Sequence, residues 1–133
     1  MKTAQIVLIE DNPADVELVK LAFREAGVQC EITLFPNGRD ALKALAAPNL
    51  SFLPSAILLD LNTPRTDGFE VHLKLRQLPR LSQVPIAILT SSRARADKHR
   101  AAIQGARYVE KPSQLQDFLT TVGGLIKELL PPA

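Results

Sequence analysis

The feature that most constrains the fold is a regular alternation of short apolar runs with longer amphipathic segments. The first, third and fourth runs, at residues 6–9, 56–59 and 86–89, are apolar throughout. Strands that are covered on both faces of a parallel sheet have this unbroken pattern. A run at residues 32–35 and a short one at Tyr108-Val109 bring the number of predicted strands to five.

The segments between the runs carry helix start signals, in which a capping side chain precedes a periodic apolar pattern. These signals are Asn12 before Pro13, Asn37, Asp67 with Glu70, and Ser113 with Gln116. Residues 92–104 are rich in Ala and Arg and predict a helix that buries only a narrow face. The alternation indicates an α/β fold, a doubly wound sheet of five parallel strands with helices on both faces.

Composition limits the class of protein. The chain has 133 residues, enough for one hydrophobic core, and we expect a single domain over residues 1–133 with no output domain. Its 46% hydrophobic and 23% charged residues are typical of a globular domain and exclude disorder. A single cysteine, Cys30, allows no internal disulfide, which favours a reducing compartment, and we expect it to be a small buried hydrophobe. No run is long enough for a membrane span or a signal peptide, so we predict a cytoplasmic protein without membrane contact.

The charged residues indicate no nucleic-acid partner. The net charge is +2, and the basic residues concentrate in one run opposed only by Asp97. That run comprises Arg93, Arg95, Lys98, His99, Arg100 and Arg107. A solvated helix face is favoured over a docking surface, and no stacking aromatics accompany the charges. The histidines, His72 and His99, have no partner at metal-ligand spacing and are interpreted as ordinary helix residues.

Polar residues follow four of the predicted strands at the point where each ends. Glu10-Asp11 follows the first strand and Asp60 the third, while Thr90-Ser91 and Lys111-Pro112 follow the fourth and fifth. In a parallel sheet these ends meet at one edge, where open α/β sheets bind ligands. Each residue alone has an ordinary structural explanation, as a turn acid, a helix cap or a surface lysine. Their occurrence together at successive strand ends predicts a functional site.

The residue types indicate a magnesium and phosphoryl site. Three carboxylates, from Glu10, Asp11 and Asp60, would repel one another unless a cation neutralised them. An all-oxygen site on short loops suits Mg²⁺ better than zinc or calcium. Lys111 adds an ammonium and Thr90 a hydroxyl, and this combination of groups can hold a phosphoryl group.

In this order and spacing the residues resemble the receiver domain of two-component response regulators. The segment from Asp60 to Gly68 is similar to the D-x-x-x-P-x-x-D-G run that follows the third strand in that family. The family pattern is also matched by the acidic pair Glu10-Asp11, by Thr90-Ser91 and by Lys111-Pro112. The resemblance therefore covers essentially the whole chain. It implies a flavodoxin-like sheet with strand order 2-1-3-4-5.

The resemblance also implies roles for the site residues. Asp60 would accept a phosphoryl group from a phosphohistidine on a partner kinase. The metal would be held by Glu10, Asp11, Asp60 and the backbone carbonyl of Asn62. Lys111 would pair with the phosphoryl oxygens across a cis bond to Pro112.

The implied output is a change of partner binding rather than turnover of a substrate. Thr90 would move to bond the phosphoryl group and Tyr108 would turn inward behind it, as a shift between two populated states. The partners implied are a histidine kinase and a downstream protein of unknown identity. Residues 10–15 and the loop at 48–54 resemble stand-alone regulators that serve phytochrome-type kinases. A second copy of the chain is a further candidate partner, through the face of the fourth and fifth helices.

Two departures from the family pattern motivate another interpretation. Glu10 replaces the more usual Asp, and the stretch from Gly105 to Tyr108 is one residue shorter than the common pattern. A receiver-like domain that docks constitutively, without phosphate, would tolerate both. A flavin- or nucleotide-binding protein of the same architecture is disfavoured, because acids and Pro13 stand where a Gly-rich phosphate loop would be needed.

Overall fold

The computed structural model describes residues 3–64 and 66–131, which leaves Arg65 of the D-x-x-x-P-x-x-D-G run outside the described residues. Strands and helices alternate along the chain as the sequence predicts. The elements are β1 Ala4–Ile9, α1 Pro13–Glu25, β2 Cys30–Phe35, α2 Gly38–Ala46, β3 Ala56–Leu59, α3 Gly68–Gln77, a 3₁₀ turn Pro79–Leu81, β4 Ile86–Thr90, α4 Arg95–Gln104, β5 Arg107–Glu110 and α5 Leu115–Leu129.

The five strands form one sheet in the order β2-β1-β3-β4-β5, and every neighbouring pair is parallel. The predicted fold class and strand order are therefore confirmed. The chain reverses its direction of winding at β1, whose neighbours are β2 and β3. That reversal places the carboxyl ends of β1 and β3 side by side, with Ile9 paired to Leu59, and the residues that follow them become neighbours.

The sheet separates the core into two apolar layers. Ile6 and Leu8 of β1 face a layer completed by α1 and α5. Val7 and Ile9, which alternate with them, face a layer completed by α2, α3 and α4. Strands with both faces covered need apolar residues at every position, which explains the unbroken runs in β1, β3 and β4.

Three of the four predicted helix caps are present. The side chains of Asn12, Asn37 and Asp67 accept hydrogen bonds from backbone N–H groups in the first turns of α1, α2 and α3. The cap predicted at Ser113 is wrong. Helix α5 begins one residue later than that prediction requires, with Gln114 at the cap position and no side-chain hydrogen bond there.

Helix α4 begins later than the sequence predicts, at Arg95 instead of Ser92. The hydroxyl of Ser92 donates to Asp97 and accepts from the backbone N–H of Ala94, and this local turn displaces the helix start. The narrow buried face is confirmed, since Ala101 is its buried residue. Cys30 was expected to be buried; it is half-buried at the start of β2, against the α1–α5 layer.

Two consecutive glycines lie in α5, and they meet different surroundings. A Cβ on Gly123 would stand 3.1 Å from the Cβ of Ala26 and 3.3 Å from the carbonyl oxygen of Ala22, whereas a Cβ on Gly124 would meet open space. Gly123 therefore permits the close approach of α1 to α5. None of the helices in the described part of the chain is long and apolar enough to cross a bilayer.

Candidate functional site

Three carboxylates meet beyond the carboxyl ends of β1 and β3. Glu10 and Asp11 follow β1 and Asp60 follows β3, and one oxygen from each lies within 4.8 Å of the others. Glu10 and Asp60 are buried and Asp11 is exposed, so the cluster opens to solvent on the side of Asp11. The convergence predicted from the strand ends is confirmed.

Lys111, which follows β5, reaches into this cluster with its ammonium group. Its Nζ lies 2.6 Å from Oε1 of Glu10, 2.8 Å from Oδ2 of Asp15 and 3.1 Å from Oδ2 of Asp60. The side chain of Lys111 is only 6% exposed. One buried cation thus offsets the charge of several carboxylates.

The burial of these charges shifts their pKa values. Burial raises the pKa of Glu10 to about 7, with the charge of Asp60 adding to it and the hydrogen bond and charge of Lys111 opposing it. Burial alone would lower the pKa of Lys111. Its hydrogen bonds to Asp15 and Glu10, with the charges of Asp60 and Glu10, outweigh that effect and raise the pKa of Lys111 above its usual range. The lysine is therefore held as a cation.

Asp60 is oriented by the loop that follows it. Its Oδ1 accepts a hydrogen bond of 3.0 Å from the backbone N–H of Asn62, while its Oδ2 faces Lys111. The side-chain amide of Asn62 in turn donates to Oγ1 of Thr90 at 3.2 Å. The resemblance implied only that the backbone carbonyl of Asn62 binds the metal. The side chain of Asn62 in addition connects the ends of β3 and β4.

Thr90, fully buried at the end of β4, begins a second chain of contacts. Its Oγ1 also accepts from the backbone N–H of Ser92 at 3.2 Å. The carbonyl of Ser92 accepts a hydrogen bond of 2.7 Å from the hydroxyl of Tyr108. Tyr108 pairs with Ile88 of β4 and is half-buried against the α2–α3–α4 layer. The shortened stretch before it leaves Tyr108 within two hydrogen bonds of Thr90.

Sequence reasoning missed Asp15, and it missed the junction at Ser92. Asp15 stands in the first turn of α1, and the available signal was that this helix begins directly after the acidic pair, at the edge of the sheet where the site lies. Ser91, predicted as the small neighbour of Thr90, is exposed. The cis bond expected between Lys111 and Pro112 is wrong, because the described residues contain no cis peptide bond; Lys111 reaches the carboxylates from a trans bond, the isomer that X–Pro bonds prefer.

A polar contact joins α3 to α4 near the site. Oδ1 of Asp67 caps α3 by accepting from the backbone N–H of Phe69, and its Oδ2 accepts from Arg100 at 2.8 Å. Burial tends to raise the pKa of Asp67, but hydrogen bonds from Arg100 and Phe69 lower it overall. The second aspartate of the D-x-x-x-P-x-x-D-G run is thus a structural anchor for two helices.

The basic run on and around α4 is largely neutralised by acids of the same chain. Arg93 and Lys98 both pair with Glu110, at 3.0 and 3.2 Å, and Arg107 pairs with Glu128. The three basic side chains are exposed, as the interpretation of a solvated helix face predicts. The pairs tie α4 to the end of β5 and β5 to α5.

Comparison with known proteins agrees with this geometry. Residues 6–123 match the family described as "Response regulator receiver domain". Among curated proteins, the chain is 32% identical to response regulator Rcp1 of Synechocystis sp. over 124 residues, which cover 90% of this chain and 84% of Rcp1. It is 34% identical to the probable methanogenesis regulatory protein FilR2 of Methanothrix harundinacea over 120 residues, 88% of this chain and 77% of that protein.

Solved structures of regulators have the same fold. The phosphorylated cyanobacterial phytochrome response regulator RcpA superposes with a TM-score of 0.87 at 27% identity, covering 98% of this chain and all of that one. The Mn²⁺-bound form of Rcp1 gives 0.85 at 30% identity, over 97% and 99% of the two chains. The acidic pocket, the strand order and the family match agree, and this chain belongs to the response regulator receiver domain family.

Proposed function

We propose that this protein accepts a phosphoryl group on Asp60 from a histidine kinase and that phosphorylation changes which partner it binds. The observation that carries the proposal is the placement of the Asp60 carboxylate, buried between Lys111 and the metal-compatible acids, with one oxygen fixed by Asn62. A carboxylate held in this way is positioned to act as a nucleophile. The protein is a signalling phosphoacceptor and not a conventional enzyme.

The transfer step uses an oxygen of Asp60 as the nucleophile. That oxygen attacks the phosphorus of a phosphohistidine, a P–O bond forms, the P–N bond breaks, and the leaving imidazole takes up a proton. Hydrolysis of the resulting acyl phosphate returns the carboxylate and inorganic phosphate. Phosphoryl transfer depends mainly on positioning and on stabilising charge, which fits a site made of fixed charges.

Magnesium is the cation we propose for the acidic cluster. The donors that converge there are carboxylate oxygens, and hard oxygen ligands suit Mg²⁺. Glu10, Asp11, Asp60 and the backbone carbonyl of Asn62 would hold the ion, which supplies charge neutralisation for the phosphoryl oxygens. The Mn²⁺-bound Rcp1 supports a divalent ion in a related protein.

Lys111 and Thr90 would bind the transferred group. Lys111 offers N–H donors from a buried ammonium, and such charge-assisted hydrogen bonds are strong. Both contacts of the Thr90 hydroxyl use it as an acceptor, so its proton is what it would donate to a phosphoryl oxygen. Movement of Thr90 would release the backbone of Ser92 and thereby free Tyr108. Through this change the surface of the protein would differ between the phosphorylated and unphosphorylated forms.

The proposed donor is a phytochrome-type histidine kinase, because the relatives include Rcp1 and the phytochrome regulator RcpA. A downstream protein would read the region of α4, β5 and α5, where Tyr108 lies, and a second copy of the chain is a candidate for the same surface. The ion pairs of Glu110 with Arg93 and Lys98 lie within that region. Tyr108 bonds the carbonyl of Ser92, the residue before Arg93, so a change at Tyr108 would alter the position of a charge that a partner meets.

Incubation with Mg²⁺ and acetyl phosphate, followed by intact-mass measurement, tests the function. We expect a gain of one phosphoryl group on the wild type and on Asp40→Asn, an exposed acid of α2, but none on Asp60→Asn. No gain on the wild type, or an equal gain on Asp60→Asn, would contradict the proposal. If a partner bound equally well with and without beryllofluoride, constitutive docking would be the better account.

A further inference from the structure

One acid at the site lies outside the cluster of three carboxylates that can hold a metal. Asp15 projects from the first turn of α1 and accepts a hydrogen bond of 2.8 Å from Lys111. Its side chain is 26% exposed, in contrast to 2% for Glu10 and 7% for Asp60. The function proposed above leaves this contact without a role.

The contact matters because the ammonium of Lys111 has no donor to spare. A lysine has three N–H donors. Three carboxylates, from Glu10, Asp15 and Asp60, lie between 2.6 and 3.1 Å from Nζ. A phosphoryl oxygen can bind Lys111 only when one of these contacts is released.

The cost of releasing each contact differs. Glu10 and Asp60 are buried, so when one of them loses Lys111 no solvent can replace the lysine, and only a bound metal would balance its charge. Asp15 is partly exposed, so water can take the place of Lys111 around its carboxylate. Asp15 is therefore the contact that yields at the lowest cost.

We propose that Asp15 is a positioning residue that competes with the phosphoryl group for Lys111. In the unphosphorylated protein Asp15 occupies the third donor of Lys111, and binding of a phosphoryl group requires that donor to pass from one acceptor to the other. The inference rests on the proposed function of Asp60. Asp15, in the first turn of α1, would thus help to set how tightly the site holds a phosphoryl group.

Affinity for beryllofluoride, a phosphoryl mimic, measures the competition directly. The variants are Asp15→Asn, which removes the charge, Asp15→Glu, which retains it, and Glu17→Gln as the matched control. Glu17 lies in the same helix with its side chain 71% exposed and pairs with Lys20 instead of Lys111. Titrations monitored by ¹⁹F NMR in excess Mg²⁺ give the affinity, and Mg²⁺ affinity without beryllofluoride is measured alongside by calorimetry.

Asp15→Asn should bind beryllofluoride about two- to fivefold more tightly than the wild type, the range that one partly exposed ion pair supplies. Asp15→Glu should remain near the wild type, and Glu17→Gln should be unchanged. Asp15→Asn should bind Mg²⁺ more weakly than Glu17→Gln does, because Asp15 lies beside the acidic cluster whereas Glu17 is exposed and pairs with Lys20, so beryllofluoride affinities are compared at Mg²⁺ concentrations that saturate every variant.

Unchanged or weaker binding of beryllofluoride by Asp15→Asn would overturn the inference, and so would an equal gain in Glu17→Gln. In those cases the wild type still binds the mimic and the proposed function stands. Absence of binding by every protein, wild type included, would overturn the proposed function and this inference together. The two failures are therefore distinguishable.

Discussion

The guanidinium of Arg100 in α4 contacts Asp67 at the start of α3 at 2.8 Å and lies 4.6 Å above the ring of Phe69. One carboxylate thereby caps α3 and holds α4. Helix α4 buries little apolar surface, with Ala101 as its buried residue, so polar contacts carry much of its attachment.

Replacement of Arg100 should loosen α4. Arg100→Ala removes an exposed ion pair and a cation–π contact, and we expect a loss of about 1 kcal/mol in the free energy of unfolding. Arg100→Lys should lose part of this, because lysine lacks the planar group that stacks on Phe69. Urea denaturation measures the loss, with Arg95→Ala as a control in the same helix. Equal stability of Arg100→Ala and Arg95→Ala would contradict the anchoring role.

Removal of the Lys111 ammonium group should destabilise the fold, and a bound metal should reverse part of this loss. Lys111→Met leaves Glu10 and Asp60 as buried carboxylates without their partner, and breaking such a pair costs about 3 kcal/mol. We expect Mg²⁺ to restore more stability to this variant than to the wild type. Thermal unfolding with EDTA and with Mg²⁺ measures both effects, and Lys20→Met is the surface control. Equal stabilisation by Mg²⁺ in variant and wild type would refute this account of the charge balance.

The two glycines of α5 should respond differently to alanine. Gly124→Ala fills open space and should stabilise the protein by up to about 1 kcal/mol through helix propensity. Gly123→Ala has the same gain in propensity, but its methyl group must displace Ala26 of α1 by a few tenths of an ångström. We expect Gly123→Ala to be the less stable variant in urea denaturation. The reverse order would show that α1 and α5 pack less closely than described.

His72 should make stability depend on pH. It is 4% exposed, and burial, with the charge of Arg76, lowers the pKa of its imidazole below the usual value of about 6.5. As pH falls below 6.5 the unfolded chain takes up a proton at His72 that the folded chain does not, so the free energy of unfolding decreases with falling pH. His72→Gln should remove this part of the slope.

Unfolding free energies of the wild type and His72→Gln between pH 7 and pH 5 provide the measurement. The free energy of unfolding of the wild type minus that of His72→Gln should decrease as the pH falls. His99→Gln, an exposed position in α4, is the control. A difference that stays constant over this range would contradict the prediction.

The fold and the centre of the site were predictable from the sequence because both depend on backbone periodicity. Unbroken apolar runs identify covered parallel strands, and parallel strands end at one edge, so Glu10, Asp60, Thr90 and Lys111 had to converge. Three helix caps were readable because each needs only a side chain at a fixed distance from the helix start.

Part of what the sequence does not predict depends on packing between elements. The sequence does not show how far the first turn of α1 leans toward β5, and this decides whether Asp15 reaches Lys111. It also does not distinguish Gly123 from Gly124, because only the approach of α1 does so. The late start of α4 has a local cause instead, because Ser92 bonds Asp97, a competition that the helical pattern alone does not predict.

Ser92 joins Thr90 to Tyr108 with its main chain, through its N–H on one side and its carbonyl on the other. Alanine at residue 92 would not reveal this link, since alanine leaves both main-chain groups in place. It places little demand on the identity of residue 92, and relatives with other residues there can inherit the same connection. At residue 92, only a change to the backbone itself, such as proline or an amide-to-ester replacement, would cut it.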